Sequence, residues 1–283
     1  MYMKKVCSPI AAKECKKKGK KCKTCFNKTS LLKIARAYNK TAPKDKHIKT
    51  TNRTLDQLWT DLKSAFSNKC KTDECWLKQD LKMPSKVLTE IDHETFRPEM
   101  SAEMKKNKHE WLSNYDIGKV LYQYADHHPD FIFFGPVPVD CPNGIMCELS
   151  SMNPVNIKKD KITKIGIVFN LDKHNEPGSH WVAMFIDMAH PLHYIDYFDS
   201  AGDRPPHLIH KFMKSIKAKF DKNKDESEMI YNDRRHQFGK SECGIYSIYY
   251  VLSRLEGKTP HQMSSRLIKD SEMNKLRNYY FRK

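Results

Sequence analysis

A chain of 283 residues, 39% hydrophobic and 11% aromatic, can bury a sizeable core and is too apolar to remain disordered. No run approaches the roughly 18 apolar residues of a membrane-spanning helix, and the basic N-terminus lacks the apolar stretch of a secretory signal. The formal charge of +17 is uneven: residues 1–50 hold sixteen Lys/Arg against Glu14 and Asp45, a local +14, and the rest carries +3. Such a segment reads as an arm for a polyanion, either nucleic acid or an acidic protein surface, or as a solvated tail.

Along the chain there is no internal repeat, and the low-complexity patch is KECKKKGKKCK (13–23). TSLLKIARAYN (29–39) fits a short amphipathic helix with Thr29 or Ser30 as N-cap. TLDQLWTDLKSAF (54–66) fits another, opened by a Thr54/Gln57 capping box. Residues 101–128 read as a helical region broken near Ser113–Asn114. Strand-like runs follow at 131–140, 164–171, 181–188 and 193–200, rich in β-branched and aromatic residues. Helical period returns at 207–220 and 242–256, the latter ended by Gly257. This order predicts an α+β fold, a mixed, mostly antiparallel sheet flanked by helices. The expected division is a basic, mainly helical domain at 1–100 and a second domain at 101–283.

The run GKSECGIYSIYYVLSRLEG (239–257) sets Cys243 at the mouth of a helix, with Ser241 as the expected N-cap. There free N–H groups and the helix dipole favour a thiolate. A base and its orienting acid are sought upstream. In GSHWVAMFIDMAHPLHYIDYFDSAG (178–202), His180 and Asp199 are equidistant from a turn centre between 189 and 190. In a hairpin of that register they are cross-strand neighbours, and the carboxylate can hold one imidazole nitrogen while the other acts as base. His190, His193 and His236 have no acid placed so well. Gln237, in RRHQFGKSEC, offers a side-chain N–H₂ to a developing oxyanion.

The ordered set HW…DS…Q…ECG resembles the Ulp1-like cysteine proteases, the clan of SUMO and adenovirus-type proteases. Within the clan it is most similar to the polyprotein-processing proteases of nucleocytoplasmic large DNA viruses, represented by that of African swine fever virus. HWVAMFIDM, YFDSAG, ECGIYSIYY and RLIKDSEMNKLRNYYF carry the likeness, and WLSNYDI (111–117) is similar to the tryptophan-led helix start of the SUMO-protease core. The resemblance covers about residues 105–283 and is thin before them. It implies Cys243 as nucleophile, His180 as general base and acid, Asp199 as its orienter, and Gln237 with the Cys243 amide as oxyanion hole. It further implies that Trp111 and Trp181 close over a diglycine before the scissile bond. Some viral relatives carry Asn at the position of Asp199.

The expected function is a cysteine endopeptidase that processes virion structural polyproteins or core precursors after Gly-Gly-type sites, in the virion interior and host cytoplasm, with no cofactor. Two alternatives are a deconjugase of SUMO or another ubiquitin-like modifier and a nucleic-acid-binding core protein on a degenerate protease fold. The nine cysteines are expected to be thiols, metal ligands or a nucleophile before a disulfide framework. CKTC (22–25) and CKTDEC (70–75), with Cys7 and Cys15, offer ligands for a structural zinc, although the second spacing is loose. Cys141 and Cys147 read as packed or loop thiols.

Overall fold

A computed structural model describes residues 6–17, 22–143 and 147–283 and divides them into two compact units. The first comprises the chain to Glu99 together with Arg282; the second runs from Met100 to Phe281 with Lys283. The Lys-rich patch at 13–23 lies partly outside the described residues.

In the first unit, α1 (Pro9–Lys17), α2 (Lys28–Asn39), α3 (Leu55–Phe66) and α4 (Ser85–Thr95) enclose a core in which Phe26 and Phe66 each stack on the buried Trp76. The capping box at the start of α3 forms as expected: Thr54 Oγ1 accepts from Gln57 N, and Gln57 Oε1 accepts from Thr54 N. For α2 the cap is Asn27, ahead of Thr29 and Ser30, because its short carboxamide reaches the Ser30 N–H at 2.7 Å.

The cysteines correct the expectation of thiols or zinc ligands. Cys7 pairs with Cys25, Cys70 with Cys75 and Cys141 with Cys147, at Cα separations of 5.3–5.5 Å. Cys22 is disulfide-bonded as well, and the Cys15 side chain lies outside the described residues. A compartment argument says nothing about which backbones meet. Here the segments at Cys7 and Phe96 form a bridge that leaves Cys7 facing Cys25 within bonding range.

The second unit begins with α5 (Ala102–Lys106) and α6 (Asn114–Ala125), separated by an extended stretch around Trp111 rather than a single break. Then come β1 (Phe131–Pro138), α7 (Pro154–Lys159), β2 (Lys164–Asn170), β3 (Trp181–Asp187), β4 (His193–Phe198), α8 (His207–Lys222), β5 (Ser227–Tyr231), α9 (Cys243–Leu255), α10 (Pro260–Ser264) and α11 (Asp270–Tyr280). The five strands form one sheet in sequence order. β2–β3 and β3–β4 are antiparallel, whereas β1–β2 and β4–β5 are parallel. The sheet is thus mixed and evenly divided, because the parallel pairs are reached by crossovers through α7 and α8.

Every residue of β3 is buried, and its side chains alternate between two cores. Trp181, Ala183 and Phe185 join the face covered by α9 and α6; Val182, Met184 and Ile186 join the face covered by α8. Arg254 of α9 fastens the helix to the sheet. Its Nε and Nη2 donate to the two oxygens of the buried Asp196 at 2.9 and 3.1 Å. Removing either partner of such a buried pair costs about 3–5 kcal/mol, so α9 is held firmly against β4. That fixes where the first residue of α9 points.

Candidate active site

Cys243 is the first residue of α9 and, among the described residues, the cysteine left as a thiol. The expected N-cap at Ser241 is not what the helix uses. Glu242 takes the N-cap position without a side-chain cap, and Ser241 turns aside to donate from N and Oγ to the Glu242 carboxylate at 3.0 and 3.2 Å. The first-turn N–H groups therefore keep no side-chain cap of their own and remain able to serve an anion.

That turn is clamped from α11. Asn274 Nδ2 donates to Glu242 Oε1 at 2.9 Å, and Arg277 Nη2 donates to the Ser241 carbonyl at 3.0 Å. Burial pushes the Glu242 carboxyl up, and hydrogen bonds from Asn274, Ser241 and His109 outweigh it and hold the group below its usual range.

His180 stands just before β3. Its Nε2 lies 2.7 Å from Asp199 Oδ1, and Cys243 is close enough to act on its ring. Burial alone would lower its pKa; the hydrogen bonds to Asp199 and Cys243 and their charges prevail and raise it to about 10. The hairpin register differs from the expected one. Ala183 faces Phe198 and Asp187 faces Tyr194, which displaces the pairing by two residues. His180 and Asp199 still meet, because diagonal neighbours across a ladder lie within reach of longer side chains.

The Asp199 carboxylate is almost fully buried and also accepts from the Ala201 N–H at 2.8 Å. Its main chain is held on both sides by Asn232, whose Oδ1 accepts from Asp199 N at 2.8 Å and whose Nδ2 donates to Asp199 O at 2.7 Å. Gly202 closes the same turn at φ +82°, where a Cβ would stand 2.7 Å from the Arg235 nitrogen.

Gln237 is brought to the same place. Its N–H donates to Ser200 O, its Oε1 accepts from Ser200 Oγ at 2.7 Å, and its Nε2 donates to Gly239 O at 3.0 Å. The amide orientation is thereby set, and one Nε2 hydrogen remains for another acceptor. Of the other histidines, His236 is enclosed. Burial lowers its pKa to about 4, and its Nδ1 accepts from Ile268 N, which makes it a neutral core residue.

Trp111 and Trp181 both line a cleft of about 570 Å³ together with Pro136, Pro138, Asn170 and Gly178. Trp111 is 45% exposed, whereas Trp181 is buried and donates its indole N–H to Leu112 O at 2.9 Å. Gly244 makes that arrangement possible, since a Cβ there would stand 3.0 Å from the Leu112 Cβ. Gly244→Ala is expected to displace Leu112 and with it the indole partner, lowering kcat/KM about tenfold while the far-ultraviolet spectrum is retained. Steady-state kinetics on a cleaved peptide checks this.

Every site residue read from the sequence lies in the second unit. His180, Asp199 and Cys243 come together, Gln237 is fixed beside Ser200, and the two tryptophans form a cleft wall. Ser200, Asn232, Asn274 and Arg277 were missed. Each acts on a backbone or amide distant in sequence, and only the adjacency of Ser200 to Asp199 offered any signal.

A free thiol at a helix mouth, near a histidine held by a buried carboxylate, is an arrangement that can support thiol-hydrolase chemistry, and comparison with known proteins agrees with it. Residues 153–283 match the Ulp1 protease family, C-terminal catalytic domain. The chain is 31% identical over 273 residues to a thiol protease of Acanthamoeba polyphaga mimivirus, covering 92% of this chain and 89% of that one. It is 30% identical over 191 residues to a cysteine protease of African swine fever virus, covering 60% and 67%. The crystal structure of a protease of that virus superimposes with a TM-score of 0.70 at 21% identity, covering both chains fully, which shows the same fold. The chain belongs to the Ulp1 protease family and is a cysteine protease.

Proposed function

We propose that this protease is an endopeptidase that cleaves virion structural polyproteins or core precursors after Gly-Gly-type sites. The observation that carries the reading is the single chain Asp199–His180–Cys243 at the mouth of α9, beside a cleft walled by two indoles. Cys243 attacks the scissile carbonyl as the thiolate, forming an S–C bond. The oxyanion accepts from the Cys243 N–H and the spare Gln237 Nε2 hydrogen. The C–N bond then breaks, and the His180 imidazolium gives its proton to the leaving amine. Water attacks the thioester, His180 takes its proton, and the S–C bond breaks to release the acid and the thiolate. Flat indoles roofing a narrow passage admit glycine and exclude residues with side chains.

A deconjugase reading of the same chemistry is favoured by one finding: other African swine fever virus relatives carry the name SUMO-1 cysteine protease. Extended Gly-Gly peptides and a SUMO–lysine conjugate of equal concentration separate the two. Cleavage of the peptides at comparable or higher kcat/KM supports the endopeptidase; turnover confined to the conjugate overturns it.

In this reading residues 101–283 act as the protease domain and residues 1–100 as a basic N-terminal domain, working in the virion interior and host cytoplasm. The local +14 over residues 1–50 supports a polyanion partner for that domain, nucleic acid or an acidic protein face.

Asp199→Asn is expected to retain part of the activity, because the amide oxygen still accepts from His180, whereas Asp199→Ala loses most of it. The Asp199 charge favours the imidazolium, so its loss lowers the His180 pKa. The alkaline fall in kcat/KM, set by a group near 10, therefore moves towards neutral pH in the Asn variant. A pH–rate profile of both enzymes reads the shift directly.

A further inference from the structure

Beyond Gln237 the chain presents a surface that the mechanism above does not use. Phe238 is 66% exposed, although a phenyl ring normally gains by burial. Its backbone is nevertheless fixed. The N–H groups of Phe238 and Gly239 both donate to Asp270 Oδ2, at 3.0 and 2.8 Å, and Asp270 Oδ1 accepts from the buried Tyr246 hydroxyl. The exposed Arg235 guanidinium lies over the Phe238 ring at 5.0 Å, with its Nε donating to Gln237 O. Arg204 lies over the exposed Tyr231 in the same way, at 5.4 Å. Across 203–204 and 231–240 the exposed charges are Arg204, Arg234, Arg235 and Lys240 against Asp203 and Asp233, a net positive surface.

None of these residues lines the cleft walled by Trp111 and Trp181. A substrate whose acyl side fills that cleft must leave past the oxyanion donor on its other side. A peptide advances at most about 3.6 Å per residue, so the first two or three residues beyond the scissile bond fall beside the neighbour of Gln237.

Resting on the endopeptidase reading, we propose that Phe238 and Arg235 form the binding platform for the substrate segment that follows the scissile bond. The ring takes an apolar or aromatic residue, and the guanidinium takes a carboxylate one or two positions further on. The positive charge over an exposed ring on a fixed backbone, beside the proposed oxyanion donor, selects this occupant.

The test uses the full chain and one Gly-Gly acyl peptide in two forms: a methyl ester, whose leaving group offers nothing to a platform, and a peptide continued for six residues. Phe238→Ala is expected to lower kcat/KM for the continued peptide about tenfold and to leave the ester within twofold, as loss of one aromatic contact implies. Arg235→Gln is expected to abolish a preference for Glu over Lys two residues beyond the bond. Equal losses on ester and peptide would show that Phe238 merely supports Gln237 and would overturn the platform, as would no loss on either. A wild-type enzyme that cleaves neither form, yet processes a SUMO conjugate, would overturn the endopeptidase reading and the platform with it.

Discussion

Cys243→Ala is expected to abolish peptide cleavage, with a rate loss of about 10⁴-fold or more, while the protein stays folded. The loss is large because no other described residue can take over. Among the described cysteines Cys243 is the free thiol, and it meets both the His180 ring and the helix mouth. The fold should tolerate the change, since alanine is smaller than cysteine and suits the first turn of a helix. Labelling with an iodoacetamide probe gives the companion result: rapid modification of wild type at this position and none in the variant. Cleavage by the alanine variant within tenfold of wild type would falsify the nucleophile assignment.

Trp181→Ala is expected to lower kcat/KM for Gly-Gly substrates by about two to three orders of magnitude, through lost positioning and entry of water. The indole fills the α9 face of the sheet and bonds Leu112 O, so part of any effect comes from packing. The Gly-to-Ala preference before the scissile bond separates the causes. A roofing indole excludes Ala, and its removal should relax that preference while the labelling rate of Cys243 stays near wild type. An unchanged ratio together with slower labelling would make Trp181 a support for His180 and would end the glycine-selection argument.

How much of this was legible depends on the range of the interaction concerned. The helix mouth at Cys243, the β3–β4 hairpin and the Thr54/Gln57 capping box are local, written within a few residues of one another. Hairpin register was misjudged by two residues because symmetry about a turn assumes a turn of known length. β5 was overlooked because SEMIY is a short, half-exposed edge strand whose pairing partner, β4, is recruited from across α8. Cysteine pairing, the Asn232 clamp on Asp199 and the Asn274/Arg277 clamp on the nucleophile turn are contacts between distant segments. Periodicity carries no information on these.

The hold of α11 on the turn before Cys243 also separates the groups that react from the groups that aim them. The thiol, its proposed base and the proposed oxyanion amide are all translated before Asn274 and Arg277, which fix the Ser241–Glu242 turn. A chain cut between residues 257 and 269 would carry every proposed reacting group without the struts on the Ser241–Glu242 turn. The aim of the Cys243 amide thus depends on a helix that contributes no reacting group of its own.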